Sequence, residues 1–195
     1  MAGTSVDNVS VGKPNLEVSG GVLWAQKGTT RPQSAAEALD AAYKSLGYIS
    51  EDGASENSER SNEDIRAWGG RLVRRVQTEY GTELSFTLIE SRNADTLKFV
   101  FGPENVIETD GNIRTKRNEK VLPHGQLVID MLDGENARRL EGGDVQVTEV
   151  GEISYVDGDA ISYEVTCACY PDENGDTLNE DIEIGGGESG GGSGE

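Results

Sequence analysis

Residues 68–91, WGGRLVRRVQTEYGTELSFTLIES, contain the run that decides the fold. In its second half Leu84, Phe86 and Leu88 alternate with Glu83, Ser85 and Thr87. A period of two marks a strand that buries one face and wets the other. The first half, Leu72 to Tyr80, keeps strand character but carries Arg74, Arg75, Gln77 and Glu79 in place of continuous apolar residues. Only Gly81 separates the halves, without an Asn-Gly or Pro-Gly turn. The spacing therefore predicts one long strand with a bulge, not a tight hairpin. At ~3.3 Å per residue, Leu72 to Ile89 would span roughly 60 Å, long for one domain and suited to a sheet that extends through an assembly.

Composition bounds the rest. A chain of 195 residues and 20.9 kDa suits one domain with appendages. Only 34% of it is apolar and 26 residues are glycine, so part of the chain lies outside any core. The formal charge is −19, and residues 172–195 hold eight acids and no base, leaving −11 on the first 171. Such a surface repels nucleic-acid phosphate and anionic lipid, which argues against sequence-reading DNA binding and against a membrane partner. A conduit to which DNA must not adhere remains compatible. No run of 18 apolar residues exists and MAGTSVDNVSVGK has no apolar signal region, so a soluble protein without a secretion signal is expected. Cys167 and Cys169 fall two apart on a strand pattern. Their Cα atoms would sit about 6.6 Å apart with parallel side chains, a poor disulfide geometry, so buried free thiols are expected.

Residues 1–15 read as an extended N-terminal arm, and Val18 to Gln26 as a short strand or hairpin broken at Gly20-Gly21. Ser34 and Glu37 form a capping box ahead of Ala35, Ala38, Leu39, Ala42 and Leu46, which predicts a helix closed by Gly47. Residues 50–66, centred on EDGASENSERSNED, are nearly without apolar residues and read as a long loop. Such a loop is either a disordered insertion or, the favoured reading, an arm that orders against a neighbouring subunit. Asn93 caps a short helix with Leu97, Val100 and Phe101 inward, stopped by Gly102-Pro103. Asp110-Gly111 marks a hairpin between Val106–Thr109 and Asn112–Thr115, and TKRNEK (115–120) reads as a solvated basic loop. Strands are expected at Leu127–Leu132, Ala137–Glu141, Val145–Val150, Ile153–Val156 and Ala160–Tyr170. The last would turn Ile161, Tyr163, Val165, Cys167 and Cys169 to one side. Turn signals every eight to twelve residues favour a β-sandwich or barrel-like sheet. The β domain is thus expected over residues 16–171, with 172–195 as an acidic, Gly-rich flexible tail.

Chemistry finds little to work with. His124 is the single histidine, in a loop beside Pro123, with no motif that supplies a triad partner. The tail matches G-x-S-x-G at Gly187, Ser189 and Gly191, and G-x-G-x-x-G at Gly185, Gly187 and Gly190, but no strand or helix flanks either. Asp172, Asn174 and Asp176 alternate as calcium ligands do, yet the following Gly and the distal Glu of an EF-hand are misplaced, so a solvated acidic turn is the better reading. A CxC pair with one distant histidine cannot complete a zinc site. Trp24 and Trp68 suit packing at a strand start or a subunit contact. No catalytic residue, metal or cofactor is expected. What remains is a chain whose work is contact with itself.

The order LEVSGGVLWAQKGT, KSLGYISEDG, AWGGRLVRRVQTEYGTELSFTLIES, LKFVFG and the closing VTEVGEISYVDGDAISYEVTCACYPDENG resembles the major tail proteins of long-tailed phages infecting actinobacteria, over roughly residues 10–175. No single motif is diagnostic; the ordered set carries the likeness. It implies a mainly β fold with one or two short helices, a tail-tube-type β-sandwich whose strands join a ring-spanning barrel in the oligomer. It further implies rings, usually hexameric, stacked into a virion tube made in the host cytoplasm. Implied partners are other copies of the chain, tape measure, tail terminator and tail-tip proteins, and passing double-stranded DNA held without sequence-specific contacts. The residues add candidates. Gln77, Glu79, Glu83, Ser85 and Thr87, with Ser162, Glu164 and Thr166 opposite, are expected to line the lumen. Glu51, Asp52, Glu56, Glu59, Arg60, Glu63, Asp64 and Trp68 are expected at contacts between subunits or rings, together with the N-terminal arm. The rival readings are a tube protein of a phage-derived bacteriocin or secretion particle, a monomeric β-sandwich adhesion or carbohydrate-binding module, and an enzyme on a β scaffold.

Overall fold

Strand β1 (Val22–Gln26) is covered on both faces, Val22 and Trp24 toward the main core and Leu23 and Ala25 toward a smaller one. Next come β2 (Lys44–Ser45), β3 (Ile49–Arg66), β4 (Leu72–Leu88) and helix α1 (Ala94–Phe101). They are followed by β5 (Val106–Thr109), β6 (Asn112–Thr115), β7 (Gly125–Asp133), β8 (Asn136–Val150), β9 (Tyr163–Cys169) and β10 (Asn179–Glu183). The computed structural model describes residues 4–16 and 20–183. The antiparallel main sheet has the order β2-β1-β7-β8-β9-β4-β3, with β10 also on β8, and β5 pairs β6 in a separate ribbon. The chain is mainly β, as expected, and the sheet does not close: β2 and β3 remain its edges.

The core follows from the alternation in the deciding stretch. Leu84, Phe86 and Leu88 of β4 and Tyr163, Val165, Cys167 and Cys169 of β9 face inward and are buried. Over them lies α1, whose Leu97, Phe99 and Val100 complete the cluster. Phe99 stacks on Phe86 at 6.1 Å between centroids and meets Trp24 edge-on at 4.9 Å, arrangements that the ring quadrupoles favour. The helix starts where its cap requires, the Asn93 side chain accepting from Asp95 N and Thr96 N. It stops at Gly102, whose φ of 91° suits glycine. The Asp110-Gly111 turn joins β5 and β6 as expected, both residues at positive φ.

Several expectations are corrected. Residues 50–66 are not a loop: they form β3, which pairs with β4 along nearly its whole length. The region from Ser34 to Leu46 is not a helix but a series of turns ending in β2. The carbonyls that would close its first turn are taken by Arg139, whose guanidinium donates to Ser34 O (2.9 Å) and Glu37 O (2.7 Å). Arg139 is itself buried and pairs with buried Asp130 at 3.2 Å, so neither charge is left uncompensated. Leu39 and Tyr43 pack on the second face of β1 and β7, and Ala35 is buried, whereas Ala38 and Ala42 of the expected helical face are exposed. Gly142-Gly143 does not end a strand. It lies inside continuous β8 at a register shift against β7, where Val145 and Arg31 occupy the space a Cβ would need. Residues Ile153–Val156 are outside any strand, and the stretch after Pro171 supplies β10. The Gly-rich run 185–195, expected to be flexible, lies outside the described residues.

Candidate assembly interface

The sheet holds only part of its longest hairpin. From Thr82 to Leu88, β4 has β3 on one side and β9 on the other. From Gly81 outward to Leu72 its one partner among the described strands is β3. The ten residues from Leu72 to Gly81, at ~3.3 Å each, carry the hairpin roughly 30 Å past the end of its neighbour β9. The turn at its tip closes through Ala67 N–Arg71 O and Gly70 N–Ala67 O bonds, each 2.9 Å. Gly69 and Gly70 supply the positive φ it needs.

Cross-strand pairs lace this arm. Asp64 accepts from Arg75 (2.8 Å) and Arg66 (2.9 Å), and Arg75 first among them holds its carboxyl below the usual carboxylate range. Arg60 lies over the Tyr80 ring at 4.4 Å and donates to Gln77 at 3.2 Å. Hydrogen bonding to the Thr82, Thr177 and Ser58 hydroxyls holds the Tyr80 phenol below its ordinary value. Such exposed pairs contribute little each. Meanwhile Ile65, Trp68, Leu72, Val73 and Tyr80 are exposed, Trp68 completely.

The predicted bulge exists but sits at Thr78, where Ser61 faces Glu79 and Asn62 faces Gln77. That extra residue reverses the side-chain alternation. Gln77 is thereby put on the Arg60–Tyr80 face, away from Glu79, Glu83, Ser85 and Thr87, with which the sequence grouped it. Those four share the face turned from the core. There Ser85 meets Thr166 (3.3 Å between hydroxyls), Thr87 lies opposite Glu164, and Ser162 precedes β9 half-buried. β3 extends this polar face with Asn57, Glu59 and Ser61, opposite Glu83, Gly81 and Glu79.

The residues expected at subunit contacts are spread along the arm, not gathered at one spot. Glu51 and Asp52 lie at its irregular base, Glu56 opposite Leu84, and Glu59 and Glu63 on the polar face. Arg60 and Asp64 are on the reverse face, and Trp68 is at the tip. The N-terminal arm runs beside β7, with Asn15 N to Asp130 O and Leu132 N to Lys13 O. It leaves Val6, Val9 and Val11 exposed near the sheet end from which the hairpin projects. Sequence reasoning missed the tip's exposed Ile65, Leu72 and Val73. The signal was present in RLVRR, apolar residues flanked by arginines with no alternation to bury them.

The groups that the sequence singled out for chemistry are held in structural ties among the described residues. His124 Nδ1 meets Asp144 at 2.6 Å, Lys27 meets the other oxygen of that carboxylate at 2.5 Å, and the His124 ring lies against Tyr170. The carboxylate thus ties two loops to β8. Both cysteines are buried and free; burial pushes Cys169 up to about 12 and Cys167 higher still, so neither is a thiolate near neutrality. Asp172 spends its oxygens on Arg31, Asn174 N and Asp176 N. Among the described residues no group of three His, Cys, Asp or Glu could hold a metal, and no helix is long and apolar enough to cross a membrane.

A family model described as phage tail tube protein matches residues 17–183. No curated protein matches the sequence. Among solved structures the chain is similar to the tube-terminating cap of the anti-feeding prophage (8% identity, 90% of this chain and 94% of that one, TM-score 0.47). It is also similar to a chain of the PVC sheath-tube complex, an extracellular contractile injection system in the extended state (10% identity, 93% and 100%, TM-score 0.47). A third is a chain of the native gene transfer agent virion (12% identity, 75% and 92%, TM-score 0.39).

Proposed function

The chain belongs to the phage tail tube protein family, and we propose that its copies close into rings, hexameric by the resemblance, which stack into the DNA conduit of a long-tailed phage. The observation that carries this reading is the unfinished hairpin. A two-stranded ribbon with both faces in water is marginal by itself, yet here one extends beyond the sheet with apolar residues exposed along it. The outer edge of β3 is an 18-residue row of backbone groups with no strand beside it among the described residues. Proteins rarely leave such an edge bare, and pairing with the next copy around a ring removes it.

In this arrangement Glu79, Glu83, Ser85, Thr87, Glu164 and Thr166 face the lumen, where carboxylates repel the phosphate backbone and let DNA slide. The hairpin and the N-terminal arm carry the contacts between rings. The role is mechanical, without catalysis. The other partners are the tape measure, the tail terminator and the tail tip, and the subunit is made in the cytoplasm of an actinobacterial host. The ordered segments quoted above support that host and tail type. A tube of a phage-derived particle would use the same surfaces.

Shortening the hairpin tests the reading. Replacing residues 62–78 by Asn-Gly joins Ser61 to Glu79, which already lie opposite one another, through a two-residue turn. The shortened chain should keep the circular dichroism and unfolding of the parent subunit and form no long tubes by negative-stain imaging. Normal tubes from it, or a parent chain that stays monomeric at every concentration, would refute the proposal.

A further inference from the structure

The chain is acidic, and two of its segments carry charge of one sign only, although Arg92, Arg117 and Lys120 border the acidic one. Residues 65–78, the hairpin tip, carry Arg66, Arg71, Arg74 and Arg75 and no acid. Arg66 and Arg75 share Asp64, whereas Arg71 and Arg74 are exposed and make no ion pair among the described residues. Residues 149–164, the connection from β8 into β9, hold Glu149, Glu152, Asp157, Asp159 and Glu164 and no base. All five are exposed, none is in an ion pair among the described residues, and Tyr155 and Val156 stand exposed among them. Arg117 reaches this connection through the Tyr155 hydroxyl, at 3.4 Å.

Strand register puts these two segments at opposite ends. Leu88 of β4 pairs with Tyr163, the first residue of β9, while Leu72 is at the tip. The separation along β4 is therefore roughly 50 Å, several times the Debye length of about 8 Å at physiological ionic strength, so the tip's cations cannot be compensated by that connection within one subunit. A second copy placed end to end in the same orientation brings them together. The other acidic stretch, residues 172–183, lies at the tip's own end, since β10 pairs with Ala137–Glu141 of β8. Two of its acids are already engaged, Asp172 by Arg31 and Glu180 by Arg138.

We propose that the hairpin tip, through Arg71 and Arg74 around exposed Trp68, docks on the acidic β8–β9 connection of a second copy of this chain, head to tail. Such a contact is heterologous and does not close, so it propagates as an open stack. Because the copies carry a large like charge, a local opposite-charge match decides which ends meet and in what orientation. This rests on the reading of the chain as a self-assembling tube subunit and names the surface that its hairpin meets.

Three full-length variants test it: Arg71→Glu with Arg74→Glu at the tip, Glu152→Lys with Asp157→Lys and Asp159→Lys at the connection, and all five together. Each is checked for folding by circular dichroism, then imaged by negative stain and sized by sedimentation velocity. The tip and connection variants should each lose tubes while staying folded, and the five-fold variant should regain them, because both signs are exchanged. Tubes from either single-end variant, or a folded five-fold variant that does not assemble, would overturn the docking. Loss of tubes from the tip variant alone would do the same and point to tip-to-tip contact with residues 172–183. If the unmodified chain makes no tubes, the assembly reading itself fails, a result distinct from any of these.

Discussion

Between Thr82 and Leu88, strand β4 has β3 on one side, β9 on the other and helix α1 packed on its inner face; between Leu72 and Gly81 its one partner among the described strands is β3. The two halves belong to one strand and are held by different forces. The inner half buries every second side chain, so its register is fixed within the subunit: a slip of one residue would drive Glu83 and Ser85 into the core. The outer half buries almost nothing, and only backbone bonds and exposed ion pairs keep it together. The difference separates what the chain specifies alone from what it leaves to a neighbour.

A pair of alanine substitutions tests that separation most directly. Phe86→Ala removes a ring stacked on Phe99 and should cost about 3–5 kcal/mol in urea unfolding of the subunit. Val73→Ala, in the same strand but exposed, should change that stability by no more than about 0.5 kcal/mol and instead weaken assembly. A large loss of subunit stability from Val73→Ala would mean that the outer half is packed within the chain.

A smaller effect sharpens the same contrast. Asn93→Ala removes the cap that satisfies Asp95 N and Thr96 N and should cost about 1 kcal/mol. Because α1 packs on the inner half of β4 through Phe99 on Phe86, the loss should appear in the hydrogen exchange of the inner amides. The outer amides, bonded across to β3 but covered by nothing else among the described residues, should exchange at their unmodified rate and slow in assembled tubes. Equal acceleration in both halves would erase the distinction.

What the sequence revealed follows the same division. Leu84, Phe86 and Leu88 were legible because burial writes a period of two into the chain, and the Asn93 cap and the Asp110-Gly111 turn because local backbone bonds demand those residues. β3 was not, since EDGASENSERSNED pairs through its backbone with both faces wet, which leaves no apolar pattern to read. The apolar spacing in 34–46 was only partly real: Ala35, Leu39 and Leu46 turn inward, Ala38 and Ala42 are exposed, and Tyr43, outside the expected face, is buried, while distant Arg139 takes carbonyls on which a helix would depend. Gln77 was put on the wrong face for a similar reason. Simple alternation cannot see a bulge at Thr78 that only pairing with Ser61 and Asn62 creates. The basic cluster read from the sequence was TKRNEK (115–120); the arginines of 66–75 become a charged end only once β3 and β4 pair, and the strand register places the acids of 149–164 at the other end.

Acid should separate the two regions with the smallest effect. In the inner region, burial raises the Asp144 carboxyl but hydrogen bonds from Lys27 and His124 outweigh it and hold it below its ordinary value; Arg31, first among its partners, does the same for Asp172. In the arm, Arg75 and Arg66 depress Asp64. A carboxyl whose folded pKa is depressed contributes stability above its unfolded value, ~3.9 for Asp, and loses that contribution as pH falls through the lower folded value. All three ties should therefore hold near neutrality and fail below about pH 4. They should differ in their response to salt. The Asp64 side chain is 23% exposed and its arginines more than half exposed, so ions screen them, while the Asp144 and Asp172 side chains are 13% and 9% exposed and are screened less. Trp24 reports on the inner region and Trp68 on the tip, so each can be followed by fluorescence with the other replaced by Phe. Added salt should blunt the acid transition seen by Trp68 and leave most of that seen by Trp24. Equal blunting of both would place the inner ties in solvent with the arm.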